Sequence, residues 1–384
     1  MTDMGASGNR RKIRVAVLFG GESEEHDVSL RSAQTVINAL DGDLFETVQI
    51  GISRDGQWMT QGDPMARLTS NSPFFKLAPG SEALSAEIVM DDEQPQTWLP
   101  ADIAGSIDVV FPVLHGPKGE DGTVQGFLEL AGIPYVGSGV LGSAVAMDKA
   151  MTKTILAGYD IRQVPWLLVA RRDWQNDPAG VATKIAEELG YPCFTKPANM
   201  GSSVGVSKVG DPSSLAPAMD TASRLDRRIV VERGIDAREL EISVLGNDDP
   251  IASCLGEVIP ANEFYDYEAK YIDDRSELVI PAEVPAHVES EAQRMAIEAF
   301  KALDLAGLAR VDFLLDRNSG ELYLNEVNTL PGFTSISMYP MLWDASGLGN
   351  SELVQRLIEL AIERHAVRDA QPSTMAYNER AYVD

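Results

Sequence analysis

Cysteine is nearly absent from this sequence: its 384 residues hold two, Cys193 and Cys254. Two cysteines cannot build a disulfide framework, and their separation matches no metal-site spacing, so a reducing compartment, the cytoplasm, is expected. Positive charge is also short. Thirty-two lysines and arginines stand against 58 aspartates and glutamates, a formal net charge of −26. Nucleic acid and anionic membrane surfaces need a basic footprint, so neither is expected as a partner. No Gly-Lys-Ser/Thr occurs, and the segment that directly follows the first apolar run, Gly20-Gly21-Glu22-Ser23-Glu24-Glu25, does not read Gly-x-Gly-x-x-Gly. A P-loop is therefore missing, and so is a dinucleotide fingerprint after the first strand. The run Val15–Phe19 is too short for a signal-peptide core. The uncharged stretch Leu130–Met147 is broken by Gly132, Pro134, Gly137, Gly139 and Gly142, so it reads as strand, loop and helix rather than a membrane span.

What is present alternates. Arg14–Phe19, Thr47–Ile52 and Asp108–Leu114 read as strands, and Val28–Leu40 as a helix capped by Asp27. Strands alternating with helices predict an open α/β sheet for residues 12–147. A second unit, 148–245, opens with a helix at Asp148-Lys149 and holds the strands Pro192–Lys196 and Arg228–Glu232. A third, 246–366, carries the strand Pro250–Ile259, a helix at 287–303, a hairpin at 308–328 and a helix at 350–364. Residues 61–106 read as polar surface elaboration, and 367–384 as a tail.

The hairpin carries the first chemistry. Period two puts Arg310 and Asp312 on one face of its first strand, and Glu326 and Asn328 on one face of its second. Two carboxylates and an amide oxygen suit Mg²⁺, which keeps its other positions for water and phosphate. Arg310 beside them could stabilise developing negative charge. Alone, the pattern suits a half-exposed hairpin with a polar outer face slightly better than a metal site. The segment Phe194–Gly205 delivers Lys196 from a strand into a loop of small residues, where backbone N–H groups can approach phosphate. Lys149 adds a cation at a helix start. The loop Glu263–Tyr271 is aromatic and suits a lid. Glu25 lies in an acidic loop suited to an ammonium group, and His115 opens the loop after a strand.

Taken together, these motifs resemble the D-alanine–D-alanine ligases of the ATP-grasp superfamily. The likeness rests on Gly-Gly-x-Ser-x-Glu-x-x-Val-Ser, His-Gly-x-x-Gly-Glu-Asp-Gly, Gly-Ser-Ser-Val-Gly, Tyr-Asp-Tyr-x-x-Lys-Tyr and Arg-x-Asp with Asn-Glu-x-Asn-Thr-x-Pro-Gly. It runs from Val15 to about Ile362 and implies a three-domain ATP-grasp architecture, α/β with α+β character in part. The resemblance implies that Lys149, Lys196 and Lys270 hold ATP phosphates, that Glu232 and Ile235 contact adenine, and that Glu239 contacts the ribose. It implies two Mg²⁺ ions, or Mn²⁺, on Asp312, Glu326 and Asn328. Glu25, oriented by Ser202, would hold the first D-alanine, with His115 also at the substrate. Ser337 would hold the carboxylate of the second, and Arg310 with the Gly332 N–H would form the oxyanion site. Tyr271 would close the lid and favours D-alanine, since depsipeptide-forming members tend to carry Phe there. A homodimer is expected. The competing readings are a D-alanine–D-lactate or D-alanine–D-serine ligase, and a nucleotide-binding regulator without catalysis.

Overall fold

The structure is a computed structural model that describes residues 11–70, 105–260 and 277–370. Three sheets follow one another along the chain. In the first, β1 (Ile13–Gly20) lies between parallel neighbours β2 (Phe45–Ile52) and β4 (Val109–Val113), with β3 (Trp58–Met59) at the edge of β2. Alternation along β1 covers both faces. Val15, Val17 and Phe19 pack with Leu30, Ala33 and Val36 of α1 (His26–Ala39), while Ala16 and Leu18 pack with Leu128 and Tyr135 on the other side. A parallel sheet apolar on both faces must be covered twice, as here.

Helix α1 starts earlier than the sequence suggests, and Asp27 does not cap it. Glu25 occupies the cap position, without a side-chain cap bond. Asp27 lies in the first turn and pairs with Arg54 at 2.7 Å, so a strong cation draws its carboxylate away from the helix end. Within the polar 61–106 stretch, Pro64–Ser70 forms α2, which buries Met65 against the first sheet. The uncharged stretch at 130–147 contains a single bridge at Tyr135 rather than a strand, between α3 (Thr123–Leu130) and α4 (Val140–Met147). Among the described residues no helix is long and apolar enough to cross a membrane.

Next comes α5 (Lys149–Gly158), capped by Asp148, whose carboxylate accepts from the Met151 N–H at 3.0 Å and pairs with Arg228. The second sheet has the order β5 (Trp166–Ala170), β8 (Arg228–Arg233), β6 (Cys193–Pro197), β7 (Ser207–Val209). Helices α6 (Arg171–Asn176), α7 (Pro178–Glu188) and α8 (Leu215–Leu225) accompany it, with Trp174, Ile185, Met219 and Ala222 in its core.

The third sheet runs β11 (Glu277–Val279), β10 (Ile251–Ile259), β9 (Ala237–Gly246), β12 (Gly307–Asp316), β13 (Leu322–Asn328), all antiparallel. Residues 237–245, which the sequence places in the second unit without a strand, form most of β9 in this sheet. The change of sheet falls between Arg233 and Ala237, because β9 pairs along its whole length with β12. Helix α9 (Ala286–Ala302) buries Met295, Ala299 and Phe300 against this sheet. After α10 (Met338–Ala345), helix α11 (Asn350–Asp369) runs past the expected start of the tail at 367. The first unit holds its last turn: Arg364 stacks 4.3 Å over Tyr135, and Arg368 pairs with Glu129 at 3.1 Å. Leu357 and Ile358 of α11 share one core with β1, so the first and third units are packed together.

Candidate active site

The three sheets face a common cavity of about 730 Å³. The third sheet gives one wall. Its antiparallel register sets Asp312 opposite both Glu241 on β9 and Glu326 on β13, and Arg310 opposite Asn328. Arg310 grips Asp312 with two bonds of 2.8 Å and reaches Glu241 at 2.9 Å. Asn328 Nδ2 donates to Asp312 Oδ2 at 3.0 Å. Glu239 lines the same wall. The guanidinium is fixed by two carboxylates, so its orientation is set before any substrate arrives.

A divalent cation fits this wall by the chemistry of its donors. Among the described residues no cluster of three or more acids, histidines or cysteines forms a cage. Mg²⁺ does not need one, because it is commonly held by one or two carboxylates together with substrate phosphates. Asp312, Glu326 and the amide oxygen of Asn328 offer such a set, all facing the cavity.

The second sheet gives the opposite wall. Lys149 starts α5, its N–H donating to the Ala198 carbonyl at 2.8 Å and its Nζ to the Met200 carbonyl at 2.6 Å. It therefore sits on the glycine-rich loop. In that loop Ser202 and Ser203 both take left-handed φ values, 52° and 58°. Such backbone is costly for non-glycine residues and persists where its surroundings impose it. Lys196 projects from β6, pairing with Glu232 of β8 at 2.6 Å and approaching Asn325 Oδ1 at 3.5 Å. The other oxygen of Glu232 takes Lys153 at 2.8 Å. Burial alone would raise the Glu232 carboxyl, but the two ammonium groups outweigh it and hold it at about 2. Ile235 lines the cavity beside them.

The first sheet closes the third side. Glu25, at the start of α1, is buried and faces the cavity. His115 follows β4. Its Nδ1 meets the Leu330 carbonyl at 3.1 Å, which makes Nδ1 the donor, and its buried Nε2 has no partner among the described residues. Burial lowers its pKa, so at neutral pH the ring offers Nε2 as an acceptor. Glu120 also lines this side.

Most of the residues expected at the site thus meet in one cavity: Glu25, His115, Lys149, Lys196, Ser202, Glu232, Ile235, Glu239, Arg310, Asp312, Glu326, Asn328 and Gly332. Ser337 does not line it. Its Oγ accepts from the Thr334 N–H at 2.9 Å, in the turn just beyond Gly332. Glu25 and Ser202 face the same space without a hydrogen bond to each other. Lys270 and Tyr271 lie outside the described residues. The sequence reading passed over Lys153, Glu241 and Glu120. Glu241 was within reach of it, since it sits two residues from Glu239 on one strand face.

The D-ala D-ala ligase N-terminus family model matches residues 14–138, and the D-ala D-ala ligase C-terminus model matches 155–359. This chain belongs to the D-alanine–D-alanine ligase family. A D-alanine--D-alanine ligase of Heliobacterium modesticaldum is 49% identical over 360 residues, covering 92% of this chain and 96% of that one. One from Geobacillus kaustophilus is 50% identical over 359 residues, with the same coverage. Among solved structures, the D-alanine-D-alanine ligase from Coxiella burnetii superposes with a TM-score of 0.79 at 36% identity, covering 96% of this chain and 99% of that one. The VanG D-Ala:D-Ser ligase from Enterococcus faecalis gives 0.77 at 34% identity, over 91% of this chain and all of that one. The architecture is therefore that of the ATP-grasp ligases.

Proposed function

We propose that the cavity joins two D-alanine molecules into D-alanyl-D-alanine at the expense of ATP, for peptidoglycan precursor synthesis. The observation that carries this reading is the opposition of two walls: Lys149 of α5 and Lys196 of the second sheet share one cavity with the carboxylates of the third. A nucleotide triphosphate with its divalent cation has the complementary charge pattern.

A carboxylate is a poor electrophile at neutral pH. In the proposed reaction the γ-phosphoryl group passes to a carboxylate oxygen of the first D-alanine, and ADP leaves. The amine of the second D-alanine then attacks the acyl carbon, loses a proton, and expels phosphate. Lys149 and Lys196 hold the phosphates, with Ile235, Glu232 and Glu239 at the base and ribose. Asp312, Glu326 and Asn328 would hold Mg²⁺, or Mn²⁺, which would supply charge neutralisation on the phosphates. Glu25 takes the ammonium of the first D-alanine, and the acceptor Nε2 of His115 faces the same substrate space. Arg310 and the Gly332 N–H receive the negative charge of the tetrahedral centre. Glu241 and Asp312 keep Arg310 in place for that role. Water would destroy the acyl phosphate, so the site must close over it. The family likeness and the sparse cysteines support a cytoplasmic homodimer.

The test is a coupled assay of phosphate release with product identification, offering D-alanine, D-serine and D-lactate as second substrate. D-alanyl-D-alanine should dominate. Preferential D-serine or D-lactate product would move the chain to the other branch of its family. Absence of any product with ATP would leave a nucleotide-binding regulator.

A further inference from the structure

Lys153 lies one helical turn beyond Lys149 on α5, yet it does not face the cavity. Its side chain is 2% exposed and ends 2.8 Å from Glu232 Oε1. The second oxygen of that carboxylate meets Lys196 at 2.6 Å. Glu232 therefore stands between a lysine behind the cavity wall and a lysine within it. Within this triad one carboxylate meets two ammonium groups, a local surplus of one positive charge, with Glu239 and Glu326 acting on Lys196 from the third sheet. Without Lys153, Glu232 and Lys196 would form a closed neutral pair, and the second sheet would present less charge to an anion.

We propose that Lys153 is a positioning residue for the nucleotide: by occupying one oxygen of Glu232 from behind the wall, it lets Lys196 keep its positive charge for a phosphate group. The inference rests on the reading of this cavity as an ATP site. It assigns a role to a side chain that never touches the ligand. Burial lowers the Lys153 pKa, and the carboxylate of Glu232 opposes that shift. Lys196 and Glu232 line the cavity, so the surplus charge is delivered where a ligand can meet it.

A ligand without phosphate separates this role from a merely structural one. Binding of ADP with MgCl₂, and of adenosine, to the full chain is measured by calorimetry for the wild type and Lys153→Met. The variant removes one positive charge from behind the wall, and ADP should bind about tenfold or more weakly, one charge contact's worth. Adenosine carries no phosphate and should bind the variant as it binds the wild type. Equal ADP binding by Lys153→Met and wild type overturns the inference, as does an equal loss for adenosine. If Lys153→Met does not fold, Lys153→Gln decides by the same two readouts. Failure of the wild type to bind ADP would instead overturn the nucleotide reading, so the two failures are distinct.

Discussion

The two long walls of the cavity carry opposite charge. On the third sheet four carboxylates, Glu239, Glu241, Asp312 and Glu326, line the cavity with one guanidinium, that of Arg310, which pairs with Glu241 and Asp312. On the second, Lys196 from the cavity side and Lys153 from behind pair with one carboxylate, that of Glu232, and Lys149 lies nearby on the glycine-rich loop. The first arrangement invites a cation, the second an anion. A chain of net charge −26 thereby builds an anion site without reversing its overall sign. It segregates charge by sheet, over distances short enough that screening does not blur the two walls.

The sharpest way to break the comparison is to remove the one cation of the acidic wall. Arg310→Ala should lower turnover by about 10²–10³, the size expected for a lost oxyanion donor. Single-turnover kinetics with D-alanine and ATP would measure it, and a rate near wild type would remove Arg310 from the reaction. A smaller effect should follow from Asp312→Asn, which keeps the shape of the acidic wall and removes one of its charges. Half-saturation by Mg²⁺ should rise by at least the cost of losing an outer-shell partner, about 10–100-fold. A magnesium titration of activity at saturating ATP would check this. An unchanged midpoint would mean the acidic wall does not hold the metal.

The two walls differ in how far the sequence disclosed them. The acidic wall was legible because a strand's period is fixed. Once 308–328 reads as a hairpin, Asp312, Glu326 and Asn328 must converge, and the register does pair them. The basic wall was legible only at its rim. Lys149 and Lys196 were noticed because one begins a helix and the other enters a glycine-rich loop. Lys153 looks in sequence like any other residue on an amphipathic helix. Its role depends on where β8 places Glu232, which is tertiary information. The same limit explains the smaller misplacements. Asp27 has the right type and position to cap α1, but Arg54, 27 residues away, takes its carboxylate. Strand β9 has no local mark of which sheet it joins, and only pairing with β12 decides it. Helix α11 extends to Asp369 because Tyr135 and Glu129, from the first unit, hold its last turn.

The third side of the cavity sharpens the comparison, since it has acids facing one another with no lysine between them. Glu120 accepts from the Gly116 N–H at 2.6 Å. Burial first, and then the charge of Glu25, push its carboxyl up to about 8. In the folded chain the group thus keeps a proton that the unfolded chain releases near 4.5. Stability from this group is therefore complete below that value and is lost as pH rises toward about 8. Glu120→Gln keeps the acceptor for Gly116 and cannot ionise. Melting of the ligand-free protein should show the variant more stable than wild type by a few degrees near pH 8, with the gap shrinking as pH falls toward about 5. A gap that does not change with pH would mean that Glu120 ionises freely. The acids of this side would then repel one another no more than solvated carboxylates do, and the contrast among the three sides would reduce to the two long walls.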